Sequence, residues 1–356
     1  MTNPVAIDRA HGGAVPDGVI DFSISINPLG PPAAVRVAYE RAWSRIALYP
    51  PARSIALEER LAAWFGVPAE NVLAGNGTTQ LIYLLARVLE PARPLVVIPT
   101  FSEIANALAG EGLPPEPIRL DAKSGFRLDL HEIDGALAGH AGAIFLGRPN
   151  SPTGTMLSIA EIGEIAARCA NRGCWCVIDE AFIDFVDPPD SAVRLAVENP
   201  RVIVLRSLTK SFAIPGLRLG CVVAPTEVAA ALRDAIEPWS VNAVAESVGL
   251  TCLDNSEEYL RHTRSMVATE RKYLAESMSK LAGIVVYPSV ANFLMLEVSG
   301  ESAAGEFGKK MLSSGIAIRD LRTLPGCGPG QYRIGIRGHA DNERFVQVTI
   351  EVQGSR

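Results

Sequence analysis

Cys176-Val177-Ile178-Asp179-Glu180-Ala181-Phe182 decides the architecture: a short apolar run ends on two carboxylates. A strand without polar alternation is covered on both faces, as in a parallel sheet wrapped by helices. The same pattern recurs at Leu95 to Ile98, Ala143 to Leu146, Val202 to Leu205 and Gly220 to Val223. Between these runs, Ile55 to Trp64, Thr79 to Leu89, Ile159 to Ala170 and Val228 to Ile236 place apolar residues three and four apart, the spacing of helices with one buried face. This alternation predicts a large α/β domain over residues 46–240.

Beyond it, a polar-faced helix from about Glu257 to Leu281 leads to strands at Ile284 to Tyr287, Phe293 to Val298, Ile316 to Arg319 and Tyr332 to Ile336, with helices near 303–313 and 341–350. Residues 241–356 therefore read as a linking helix and a small α+β domain. Residues 1–45, with His11-Gly12-Gly13 and Asn27-Pro28-Leu29-Gly30-Pro31-Pro32, read as an ordered arm packing with the small domain.

The 356 residues are enough for two domains, and 48% apolar with 20% charged residues excludes disorder or coiled coil as a global description. The net charge of -6 lacks the basic excess of a nucleic-acid or anionic-membrane binder, so no nucleic-acid or membrane partner is expected. No run approaches the ~18 apolar residues of a membrane span, and the first ten residues do not read as a secretory signal. The six cysteines form neither a disulfide framework nor a paired C-x-x-C zinc site, which makes a reducing cytoplasm the expected compartment. Cys174 and Cys176 read as core residues.

Asp179 stands at the carboxyl end of a strand, where open α/β sheets bind ligands. Alone, an acid there is more often a helix cap or loop residue. A second strand, Val202 to Leu205, runs into Arg206-Ser207-Leu208-Thr209-Lys210, so two strand ends offer a carboxylate and an amine to one crevice. A partly desolvated lysine near other cations has a lowered pKa and can form a Schiff base with a carbonyl. Arg218 follows in Pro215-Gly216-Leu217-Arg218-Leu219-Gly220, and with Ser207 and Thr209 it makes a phosphate site of hydroxyls and a guanidinium. Gly75-Asn76-Gly77-Thr78-Thr79 opens a helix whose unpaired N–H groups and dipole suit an anion. An amine, a carboxylate to keep a pyridine nitrogen protonated, and two phosphate-binding elements are together what pyridoxal 5'-phosphate (PLP) requires.

The set Asn71 to Gly77, Pro149-Asn150-Ser151-Pro152-Thr153-Gly154, Asp179 to Phe185 and Ser207 to Gly220 resembles the fold-type I PLP enzymes, the class I/II aminotransferases, over essentially the whole chain. The resemblance implies a large, mainly parallel sheet domain plus a smaller α+β domain. By position, Lys210 would carry the cofactor aldehyde and shuttle protons, Asp179 would pair with the pyridinium nitrogen, and Gly77, Thr78, Ser207 and Arg218 would hold the cofactor phosphate beside Thr79 and Thr209. Tyr49 matches a tyrosine that reaches the cofactor phosphate of a neighbouring subunit, which implies a homodimer. Arg333 matches the arginine for the substrate carboxylate, and His11, Asn27 and Arg337 form the candidate set for a substrate phosphate.

Three positions depart from the family pattern. Ser151 stands where relatives carry an Asn, and Phe182 where many carry a Tyr; both usual residues bond the cofactor's phenolic oxygen. Ile104 replaces an aromatic near the ring, which leaves Phe101 as the stacking partner. The arm and Pro238-Trp239-Ser240-Val241-Asn242 point, within the family, to decarboxylation of L-threonine O-3-phosphate to (R)-1-amino-2-propanol O-2-phosphate, a step of the cobalamin nucleotide loop. The alternatives are an aminotransferase of the histidinol-phosphate type and a decarboxylase of a related phosphoserine or phosphonate amino acid. Ser207-Leu208-Thr209-Lys210 also fits the S-x-x-K of serine acyl-enzymes, but Ser240-Val241-Asn242 lacks the middle Asp of S-D-N, and Lys123-Ser124-Gly125 precedes the motif instead of following it. A non-catalytic protein of this fold would carry a basic DNA-binding segment or lack the lysine, and neither holds here.

Overall fold

The computed structural model describes residues 11–254, 256–300 and 305–354. Its strands are β1 (Ile20–Asp21), β2 (Val72–Gly75), β3 (Leu95–Ile98), β4 (Glu116–Arg119), β5 (Ala143–Gly147), β6 (Trp175–Asp179), β7 (Val202–Ser207), β8 (Gly220–Val223), β9 (Ile284–Tyr287), β10 (Phe293–Val298), β11 (Ile316–Ala317), β12 (Arg319–Asp320) and β13 (Gln331–Gly335). A seven-stranded sheet runs β2-β8-β7-β6-β5-β3-β4, with every pair parallel except those that β8 makes with β2 and β7.

Both faces of this sheet are covered, which is why its strands read as unbroken apolar runs. Side chains alternate between the layers: Cys176 and Ile178 pack with Ile162 and Ile165 of the helix Ile159–Ala170, whereas Val177 packs with Leu81 and Leu85 of the helix Gly77–Leu89. The helix Ile159–Ala170 starts from a capping box in which Ser158 and Glu161 satisfy each other's backbone donors.

The smaller sheet, β12-β13-β10-β9, is antiparallel and packs on the helices Ser256–Ser279 and His339–Gly354 through Leu274, Leu296, Tyr332 and Phe345. The arm divides its contacts. β1 pairs with β11, but the helix Ala33–Trp43 sends Val35 and Ala38 into the core that holds Leu57 and Val248. It therefore does not pack only with the small domain, because its apolar side chains find partners on helices beside the large sheet.

Several elements differ from the sequence expectation. β2 is only four residues long and fully buried, and β4 is an edge strand carrying Pro117, so neither gave a clear apolar run. The expected strand Ile316 to Arg319 breaks in two: β11 pairs with β1, and β12 with β13. Among the described residues no helix is long and apolar enough to cross a membrane.

Candidate active site

A cavity of about 590 Å³ opens at the carboxyl ends of β5, β6 and β7 and is closed from the other side by Arg319 and Arg333 of β12 and β13. Asp179 ends β6 with 9% of its surface exposed and accepts one hydrogen bond, from the Ala181 N–H at 2.9 Å. Burial, assisted by the adjacent Glu180, raises its pKa to about 6. Lys210 lies in the single helical turn Leu208–Ser211 directly after β7. Burial and the nearby Arg333 and Arg218 lower its pKa to about 8. Acid and amine thus share one desolvated space at neighbouring strand ends.

Beside them lies an anion cup. The helix Gly77–Leu89 aims its N-terminus into the cavity, with Thr78 and Thr79 on the wall. The Ser207 and Thr209 hydroxyls are 2.7 Å apart on the other side, and Arg218 completes the set. Gly77 has φ +76°, and a Cβ on it would lie 2.7 Å from a terminal nitrogen of Arg218. Only glycine lets the guanidinium come this close. Arg218 is itself held at φ 55°, a conformation that L-residues rarely adopt and one that costs on the order of 1 kcal/mol.

On the facing wall Arg333 donates to the Ser151 hydroxyl at 3.0 Å and to the Ser23 carbonyl at 2.8 Å. Burial and the neighbouring Arg319 lower its pKa to about 10, which leaves it a cation at neutral pH. Phe101 and Phe182 line the cavity, and Phe182 meets Phe293 edge-on at 4.9 Å. Ile104 is buried in the helix Ser102–Gly110 and does not line the cavity. His11 reaches over the cavity from the arm, 6.1 Å from the Phe101 ring.

Asn27 and Arg337 are not brought to the cavity. Asn27 is buried and turns its amide to the Ser211 carbonyl and the Thr263 hydroxyl, while its own N–H donates to the Lys210 carbonyl. It braces the segment that carries the lysine instead of facing a substrate. Arg337 is drawn away by Asp341, one turn along the last helix, at 2.8 Å, and by the Asp21 carbonyl at 3.1 Å. Tyr49 also lies outside the cavity, 83% exposed and 5.1 Å from Trp239.

Two charged lining residues were not found in the sequence. Arg319 lies beside Arg333 in register across β12 and β13, and its entry into the cavity follows from the break between β11 and β12. Glu103, in the first turn of Ser102–Gly110, had no signal beyond its closeness to Phe101.

The residues fit PLP. A buried carboxylate whose burial calls for a cationic partner, an amine that burial and two arginines make easier to deprotonate than an ordinary lysine, and a cup shaped by Gly77 around a guanidinium match its pyridine nitrogen, aldehyde and phosphate in turn.

Comparison with known proteins agrees with this geometry. The family described as aminotransferase class I and II matches residues 17–348. The threonine-phosphate decarboxylase of Salmonella typhimurium is 36% identical, over 95% of this chain and 95% of its own. A histidinol-phosphate aminotransferase of Symbiobacterium thermophilum is 33% identical, over 90% of this chain and 87% of its own. Among solved structures, the histidinol-phosphate aminotransferase of Clostridium acetobutylicum superposes with a TM-score of 0.88 at 24% identity, covering 95% of this chain and 100% of that one.

Proposed function

This chain belongs to the class I and II aminotransferase family, and we propose that it is a PLP-dependent carboxy-lyase converting L-threonine O-3-phosphate to (R)-1-amino-2-propanol O-2-phosphate. The observation that carries this reading is the pair Arg319 and Arg333 on the wall facing Lys210, in addition to the cup around Arg218. A substrate with both a phosphate and a carboxylate needs two anchors beyond the one that holds the cofactor. The similarity to the Salmonella typhimurium enzyme supports decarboxylation, and the expected product serves the cobalamin nucleotide loop.

Bound in this cavity, PLP supplies an electron sink for the pair left when a bond to the substrate α-carbon breaks. Asp179 would keep the pyridine nitrogen protonated. The guanidinium of Arg218, with Ser207, Thr209 and the N–H groups at Thr78 and Thr79, holds the cofactor phosphate and fixes the ring. Arg319 and His11 hold the substrate phosphate, while Arg333, braced by Ser151 and Ser23, sets the carboxylate. Held at both ends by these groups, the substrate would be oriented so that its carboxylate is the group lost, as carbon dioxide. Lys210, in its ammonium form, would then deliver a proton to the α-carbon. Phe182 and Phe101, which line the cavity, would help to exclude water from it.

The active unit is a homodimer. Trp43, Ile46, Leu48 and Tyr49 are each more than half exposed, and with Trp239 they form an apolar surface of the kind that marks an interface. Tyr49 then serves the cofactor phosphate of the second subunit.

The test is a product assay with O-phospho-L-threonine, O-phospho-L-serine and histidinol phosphate side by side. Carbon dioxide with (R)-1-amino-2-propanol O-2-phosphate is expected from the first. The similarity to the Symbiobacterium thermophilum enzyme favours a second reading, transamination of histidinol phosphate, which would instead show exchange with 2-oxoglutarate and no gas.

A further inference from the structure

Apart from Asp179, Glu103 is the only carboxylate lining the cavity among the described residues. An acid on the wall of a pocket for an anionic substrate is unfavourable on its own, because like charges repel at close range. Yet Glu103 is held firmly. Its side chain is 12% exposed, one oxygen accepts from His11 Nε2 at 3.0 Å and from the Asn106 amide at 2.9 Å, and the other accepts from the Tyr83 hydroxyl at 2.9 Å. Tyr83 and Asn106 stand on rigid helices, whereas His11 stands on an arm segment without regular structure. The acid therefore ties a segment without regular structure to two helices.

Once Nε2 is committed to Glu103, Nδ1 is the remaining ring nitrogen. Phosphothreonine brings a phosphate of about -1.5 to -2 and a carboxylate, more negative charge than Arg319 and Arg333 alone can match. We propose that Glu103 is a positioning residue that holds His11 over the cavity through Nε2, leaving the Nδ1 side of the ring to meet the substrate phosphate, and that the preference for a phosphorylated over a plain amino acid depends on this pair. The inference rests on the assignment of the cavity to a phosphorylated amino acid.

The experiment measures binding to the PLP-loaded protein by the shift in cofactor absorbance, for O-phospho-L-threonine and for L-threonine. It compares wild type, Glu103→Gln, His11→Ala and the double variant. Glu103→Gln is expected to weaken phosphothreonine binding about tenfold, the loss of one charge-assisted contact, while L-threonine and PLP affinities stay within about twofold. The double variant should be no weaker than His11→Ala alone, because the acid acts through the ring. In turnover the loss should appear in KM. Equal loss for both ligands, or additive effects in the double variant, would overturn the proposal and make Glu103 a structural residue. If wild type binds phosphothreonine no better than L-threonine, the substrate assignment falls first and this inference with it. A wild-type preference that survives Glu103→Gln sinks the inference alone.

Discussion

The chemistry proposed for Lys210 depends on its amine being neutral often enough to react. Burial and two arginines lower its pKa from 10.5 to about 8. At pH 7 this raises the neutral fraction roughly 300-fold over an ordinary lysine. A depressed pKa means that the proton is bound below about 8 and lost above it. Capture of PLP by the cofactor-free protein should therefore accelerate as pH rises and level off near 8, as read by stopped-flow absorbance. A rate still climbing steeply toward pH 10 would mean that the amine is not desolvated. Asp179 works in the opposite sense: burial holds it near 6, and a cation beside it restores its charge. Asp179→Ala should lower kcat/KM on the order of a hundredfold or more, since a neutral pyridine is a poor electron sink. Activity within tenfold of wild type would refute that role.

Elements matter here because three strand ends must converge. Behind the cavity, fully buried Arg148 after β5 pairs with Glu180 after β6 at 2.9 Å, and Glu180 also accepts from Ser191 and the Ala192 N–H. Arg206 of β7 pairs with Asp184, which accepts from Ser211 beside the lysine. These pairs tie the strand ends that carry Ser151, Asp179 and Lys210. Glu180→Ala removes the buried partner of Arg148 and leaves it only the half-exposed Asp190 at 3.1 Å, so it should cost about 3 kcal/mol in denaturant unfolding. A loss below about 1 kcal/mol would show that the network is dispensable. At the anion cup, Gly77→Ala should weaken PLP binding at least tenfold in a fluorescence titration, by pushing Arg218 aside and straining a positive φ. Unchanged affinity would remove Gly77 from the cup. Asp179 and the Gly77 turn were legible in the sequence because a strand end and a glycine turn are local, whereas the buried ion pairs were not read there. Asn27 and Arg337 were misread as substrate contacts because their partners, Thr263 and Asp341, take the side chains elsewhere, and which partner wins is decided only by packing. Arg319 was hidden for a related reason: a break between two-residue strands belonging to different sheets has no local signature.

Taken whole, the molecule presents a catalytic cavity on one side and an uncovered apolar surface around Trp43 and Tyr49. In the proposed homodimer a second copy would cover that surface. Trp43→Asp should shift the protein from dimer to monomer in sedimentation velocity and lower PLP retention, because Tyr49 would lose its partner's site. A monomeric wild type would contradict the shared-site reading. The sheet order was only partly legible, since the lone antiparallel strand β8 reads like its parallel neighbours when all are buried on both faces. The central claim is narrower than the fold and more easily broken: one amine, at position 210, carries the cofactor. Borohydride reduction of the PLP-loaded protein, followed by peptide mass mapping, tests it directly. The account predicts a single stable pyridoxyl adduct, on Lys210; an unlabelled Lys210, or a label on another lysine, would contradict it.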